Sequence, residues 1–156
     1  MIIKQDDLTS EATRALLALH LQGMFENSPP DNVFALDLSG LQQPGITVWS
    51  AWDSDRIMGI GALKQHDGGQ GEIKSMRTDP RYLRRGVAAA ILDTIITAAC
   101  HAGLTRLSLE TGRGPAFEPA LAMYARRGFA FGGPFADYKQ SDFSQFMHMD
   151  LAGPAA

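Results

Sequence analysis

The run Met76-Arg77-Thr78-Asp79-Pro80-Arg81-Tyr82-Leu83-Arg84-Arg85-Gly86-Val87-Ala88-Ala89-Ala90 constrains the fold more than any other part of the chain. A strand-like stretch from about Gly71 to Thr78 is broken by Asp79-Pro80. A basic turn over Arg81 to Gly86 then feeds a helix over Val87 to Ala102. Val87, Ile91, Leu92, Ile95, Ile96 and Ala99 recur every three to four residues and give that helix one apolar stripe. Gly103 stands at its C-cap position, and Leu104 to Glu110 is strand-like again, with Leu107 and Leu109 on one face. The succession demands a strand–helix–strand crossover.

The turn also has a chemistry. The first amides of a helix lack internal partners and lie at the positive end of the helix dipole. Gly86, Ala88 and Ala89 leave the approach to those amides open, while Arg84 and Arg85 add positive charge. Close helix packing or solvated arginines would explain each feature separately. Their coincidence at one junction points to a bound phosphate, here a diphosphate. No Gly-Lys-Ser/Thr follows, so this is not a P-loop. Gly59-Ile60-Gly61 lacks a third glycine and lies inside a strand, so it is not a dinucleotide fingerprint.

Ile2 to Gln5 reads as an opening strand. A helix follows, capped by Thr9 or Ser10, with Leu16, Leu17, His20, Leu21 and Met24 on its buried face. Turn formers then dominate from Glu26 to Gly45, a length that suggests a substrate-side flap. Ile46 to Trp52 and Arg56 to Lys64 form a hairpin. A second helix spans Phe117 to Arg127, and Phe129 to Phe131 and Phe143 to Leu151 close the sheet around a loop carrying Pro134, Asp137 and Tyr138. The expected class is α/β (α+β), a mixed, mostly antiparallel sheet flanked by helices, in the order β-α-(α)-β-β-β-α-β-α-β-β.

With 156 residues, the chain suits one domain over 1–151 and a frayed tail over 152–156. Hydrophobic residues at 45% and charged residues at 20% exclude a disordered composition. No apolar run approaches the ~20 residues of a membrane span, and the N-terminus does not resemble a secretory signal. Cys100 is the single cysteine, so neither an internal disulfide nor a cysteine zinc site is available. A cytoplasmic protein is expected. A net charge of -3 argues against a nucleic-acid partner. Four of the ten arginines fall within nine residues, which suggests a small anionic ligand instead.

Leu83-Arg84-Arg85-Gly86-Val87-Ala88 resembles the acetyl-CoA pyrophosphate loop of the GNAT superfamily of N-acetyltransferases, written Q/R-x-x-G-x-G/A. Leu83 departs from the Gln or Arg of that pattern, which touches one side-chain contact and not the backbone amides. Ala120-Leu121-Ala122-Met123-Tyr124-Ala125-Arg126-Arg127-Gly128-Phe129 resembles the family's tyrosine-bearing helix and following strand. The element order extends the resemblance from about Ile2 to Leu151.

The resemblance implies acetyl-CoA as co-substrate, no metal, and direct attack by a primary amine of a small molecule or peptide in a ternary complex. It implies Tyr124 as the acid that protonates the departing thiolate, and Glu72 as the base, acting directly or through water. Glu110 is the reserve base; His20 and His148 lie on patterns that explain them structurally. Met76, Arg77 and Thr78 would flank the pantetheine arm, with a backbone amide near Met76 holding the oxyanion. Arg84, Arg85, Gly86, Val87, Ala88 and Ala89 would hold the diphosphate. Transfer of another acyl group, another acceptor, or a non-catalytic acyl-CoA sensor are the alternatives. A homodimer is also implied, and the apolar run of Phe143, Phe146, Met147 and Met149 fits one.

Overall fold

The strands form one seven-stranded sheet, in a computed structural model that describes residues 1–151. The tail expected over 152–156 lies outside the described residues. β1 (Ile2–Gln5), β2 (Ile46–Asp53), β3 (Arg56–Gln65) and β4 (Gln70–Thr78) pair antiparallel in sequence. β4 then pairs parallel with β5 (Arg106–Thr111) across helix α3 (Val87–His101). β7 (Gln145–Asp150) lies antiparallel between β5 and β6 (Ala130–Gly132). Helix α1 (Glu11–Asn27) and the short α2 (Leu38–Leu41) precede β2, and α4 (Glu118–Arg126) joins β5 to β6. This is the mixed, mostly antiparallel α/β sheet anticipated from the sequence, with its crossover at α3.

Strand alternation divides the apolar residues between the two sheet faces. On one face, the α3 residues Val87, Ile91, Leu92, Ile95 and Ala99 pack with Leu63, Ile73, Leu107 and Leu109. On the other, Leu16 and Leu17 of α1 pack with Val48, Ile60 and Ala62. Ser10 caps α1, its Oγ accepting from the Thr13 amide at 3.1 Å. Leu16, Leu17 and His20 of the expected stripe are buried, whereas Leu21 and Met24 are half-buried.

The glycine pair in β3 belongs to packing. A Cβ at Gly59 would lie 2.8 Å from Val87, and one at Gly61 would lie 2.7 Å from Ile91. Their absence lets α3 settle closely on the strand. The closing strand begins at Gln145 rather than Phe143. Phe146 and Met147 are buried, and Phe143 and Met149 pack against the core. The apolar run considered for a homodimer is thus accommodated within one chain.

Two irregularities shape the centre of the sheet. β4 and β5 pair only at Gln70–Arg106, Gly71–Leu107 and Glu72–Ser108, so β4 has no β5 partner beyond Glu72. Ile60 pairs with Arg77 but Ala62 pairs with Lys74, leaving Ser75 and Met76 opposite Gly61 alone. This is a bulge, with Ser75 at φ 58°, and it redirects the side chains that follow.

Candidate functional site

The parting of β4 and β5 opens a cleft of about 670 Å³. Its walls are β4 from Glu72 to Thr78, the end of β5, the start of α3, one side of α4 and the C-terminal half of α1. The 20-residue stretch read as a flap contains a 3-10 turn at Pro30–Asn32 and α2. It meets the β6–β7 loop at the cleft, where Phe34 packs edge-on against Tyr138 with centroids 5.2 Å apart. Asn32 donates to the Ser141 hydroxyl at 3.1 Å beside this contact.

At one end of the cleft lies the basic turn. Arg84 and Gly86 have φ of 63° and 78°, and Gly86 is the N-cap of α3. Gly86, Val87, Ala88 and Ala89 all line the cleft. Arg81 is engaged by Asp79 at 3.0 Å, and its hydrogen bonds hold the Asp79 carboxyl below its ordinary range. The Arg85 guanidinium lies 5.6 Å from the Tyr82 ring centroid. Among the described residues, Arg84 and Arg85 have no carboxylate partner.

Tyr124 reaches the cleft from α4. It is 5% exposed, and its ring packs edge-on against Phe129 at 5.6 Å. Its hydroxyl has no hydrogen-bond partner among the described residues and is not fully enclosed. Burial raises the phenol well above its ordinary value, because the phenolate would lose its water. Tyr124 therefore keeps its proton at neutral pH.

Glu72 enters from β4 on the opposite sheet face, 2% exposed. Its Oε1 pairs with His66 Nε2 at 2.9 Å. Its Oε2 accepts from Lys74 Nζ at 3.1 Å and from the Tyr138 hydroxyl at 2.5 Å. Both oxygens are thus engaged. Burial, then the Glu72 charge, raises the Tyr138 phenol far above its ordinary value. Glu110 of β5 lines the same cleft. Burial raises its carboxyl to about 7, with Ser144 and Lys74 opposing the rise. A carboxyl in that range exchanges protons readily near neutral pH.

The remaining site residues divide by strand face. Met76 and Thr78 line the cleft on β4. Arg77 turns its side chain to α1, where Nε donates to His20 Nδ1 and Nη2 to the His20 carbonyl, both at 3.2 Å. Burial and the Arg77 charge lower His20 to about 4, so it is neutral, with its Nδ1 lone pair occupied. His148 is held between the Ser108 hydroxyl at 2.6 Å and the Gly133 carbonyl at 2.7 Å. Lys74 and His66 escaped the sequence reading, although Lys74 stands two residues from Glu72, on the same strand face. Tyr138, 66 residues away from Glu72, carries no local sign of their contact.

The sheet is thus parted at its centre, with a small-residue helix start at one end of the gap and a buried phenol and carboxylates along it. The chain matches the acetyltransferase (GNAT) family over residues 11–129, and it belongs to that family and is an acyltransferase. It is 48% identical over 149 residues to the Escherichia coli (strain K12) protein named uncharacterized N-acetyltransferase YedL, covering 96% of this chain and 94% of that one. A crystal structure from Klebsiella pneumoniae subsp. pneumoniae, of a protein assigned as an acyl-CoA N-acyltransferase, shares the fold at a TM-score of 0.81 and 26% identity, covering 97% of each chain. An aminoglycoside 6'-N-acetyltransferase solved with coenzyme A shares it at a TM-score of 0.75 and 13% identity, covering 99% of this chain and 100% of that one.

Proposed function

We propose that the protein transfers an acetyl group from acetyl-CoA to a primary amine by direct attack, with the thioester in the gap between β4 and β5. One observation carries this reading: Tyr124 faces the gap from the α3 side of the sheet, and Glu72 and Glu110 face it from the α1 side. The unpaired edge of β4 offers main-chain groups to a pantetheine arm at Met76 and Thr78, as an added strand would use them. The turn over Arg84 to Ala89 receives the diphosphate at the start of α3. A main-chain amide near the Met76 bulge serves the oxyanion.

The atoms balance within these groups. The amine nitrogen forms a bond to the acetyl carbon, and the carbon–sulfur bond breaks. Tyr124 gives its proton to the sulfur, and a carboxylate takes a proton from the nitrogen. Exchange with solvent restores both side chains. Of the two carboxylates, Glu110 suits the base role better, because both oxygens of Glu72 already hold donors. Glu72 then anchors Lys74 and Tyr138 at the acceptor's side of the gap. Soluble acetyl-CoA and a broad amine panel, with release of free CoA as the readout, test the reaction. Binding of acetyl-CoA without turnover on any amine would overturn it in favour of a sensor.

The base assignment makes a pH prediction. Glu110 must be ionised to act, so the wild-type rate should fall as pH drops through about 7. Glu110→Gln should lower kcat by about 10²–10⁴-fold and flatten that limb. A Glu72→Gln enzyme that alone loses the limb would transfer the role to Glu72. Stability should move the other way. The folded-state carboxyl is raised from 4.5 to about 7, so its penalty on folding is absent below 4.5 and complete above 7. That displacement corresponds to roughly 3 kcal/mol. Glu110→Gln should therefore raise Tm at pH 8 and leave it nearly unchanged at pH 4.

A further inference from the structure

Arg77 is a cation held without a counter-charge. It lines the cleft and is partly buried, and lost hydration lowers its pKa from the ordinary value. A buried charge is normally paired. No Asp or Glu among the described residues lies within ion-pair distance of it. The neighbouring cations differ. Lys74 is matched by Glu72 at 3.1 Å, and Arg81 by Asp79 at 3.0 Å. Arg84 and Arg126 also line the cleft, but both are exposed.

The guanidinium is seated rather than loose. His20 and Gly23 stand three residues apart on one face of α1. His20 takes Nε and Nη2 through its ring and its carbonyl. At Gly23 a Cβ would collide with Nη2, so the glycine gives the guanidinium room. His20 is neutral in this position and accepts a hydrogen bond instead of repelling the charge. Two of the five guanidinium N–H donors are committed to α1, which leaves three.

The position of this seat selects the anion. The proposed diphosphate site is the start of α3, on the opposite sheet face from α1. Arg77 lies on the α1 face with Glu72 and Lys74, where the amine must approach. We propose that Arg77 binds a carboxylate of the acceptor, so that the substrate class is an amino carboxylate, of which a free amino acid is the simplest member. The inference rests on the acetyl-transfer reading above. The amine end of such a molecule lies toward Glu110, and Phe34 and Tyr138 flank an apolar side chain.

The test compares amino acids with the amines that lack only the carboxylate, such as phenylalanine with phenethylamine and leucine with isopentylamine. The wild-type kcat/KM should favour the amino acid in at least one pair by about 10–100-fold, the range of a charge-assisted hydrogen bond. Arg77→Met should collapse that ratio toward one, mainly through KM, and Arg77→Lys should restore part of it. Calorimetry should show the acetyl-CoA Kd moving by less than about threefold in both variants, and thermal melts report whether α1 stays docked. Equal or better use of the decarboxylated amines by the wild type overturns the inference and leaves acetyl transfer intact. So does an Arg77→Met enzyme that keeps the ratio, or one that loses acetyl-CoA affinity instead. Absence of turnover on every amine overturns the transfer reading and this inference together.

Discussion

Replacing Tyr124 with Phe should lower kcat by about 10²–10⁴-fold, the usual contribution of a positioned general acid. The substitution removes one hydroxyl and leaves the ring, which keeps its edge-on contact with Phe129. That hydroxyl has no hydrogen-bond partner among the described residues, so its removal leaves no group unsatisfied and the fold should melt as before. The loss should fall on kcat rather than on acetyl-CoA affinity, since negative charge on sulfur develops only during the reaction. It should shrink with acyl donors whose leaving thiol is more acidic, because those depart with less proton assistance. A variant with wild-type kcat, measured where chemistry limits turnover, would reduce Tyr124 to a packed ring.

Gly86→Glu should abolish acetyl-CoA binding. Gly86 has φ 78°, and an added Cβ would meet no atom within 4 Å. The structural cost is therefore confined to the left-handed backbone, about 1–2 kcal/mol for an ordinary residue. The electrostatic consequence is larger. A carboxylate at the start of α3 takes the favourable place at the positive end of the helix and repels the diphosphate proposed there. Gly86→Ala separates the two effects, since it carries the backbone strain without the charge. Arg84→Ala and Arg85→Ala should weaken binding less, and by diminishing amounts as salt rises. Unchanged affinity of Gly86→Glu by calorimetry would mean that the diphosphate lies elsewhere.

Local pattern carried much of this molecule. In α3, Val87, Ile91, Leu92, Ile95 and Ala99 of the stripe are buried and Ile96, at its edge, is half-buried, because a 3.6-residue period can bury only one face. The small residues and the glycine at the start of α3 identified the open helix end, since a left-handed N-cap without a side chain suits few residues. The crossover followed from element order. Each of these depends on neighbours within a few positions along the chain.

The rest depends on contacts that no local pattern encodes. The sequence offers Glu72 as a base on a strand, but its engagement by Tyr138, 66 positions on, arises only when the two are folded together. Glu110 gains its near-neutral carboxyl from burial, and the groups that temper it, Ser144 and Lys74, lie more than 30 positions away in the chain. Arg77 stands in a basic run, but its seat on His20 and Gly23 spans more than 50 positions of chain. The chain by itself determined the order of elements, the buried stripes and the exposed helix start, because these follow from backbone geometry and spacing. Tertiary structure alone decided where β4 parts from β5 and which charges are left without partners, because desolvation and pairing are properties of surfaces brought together.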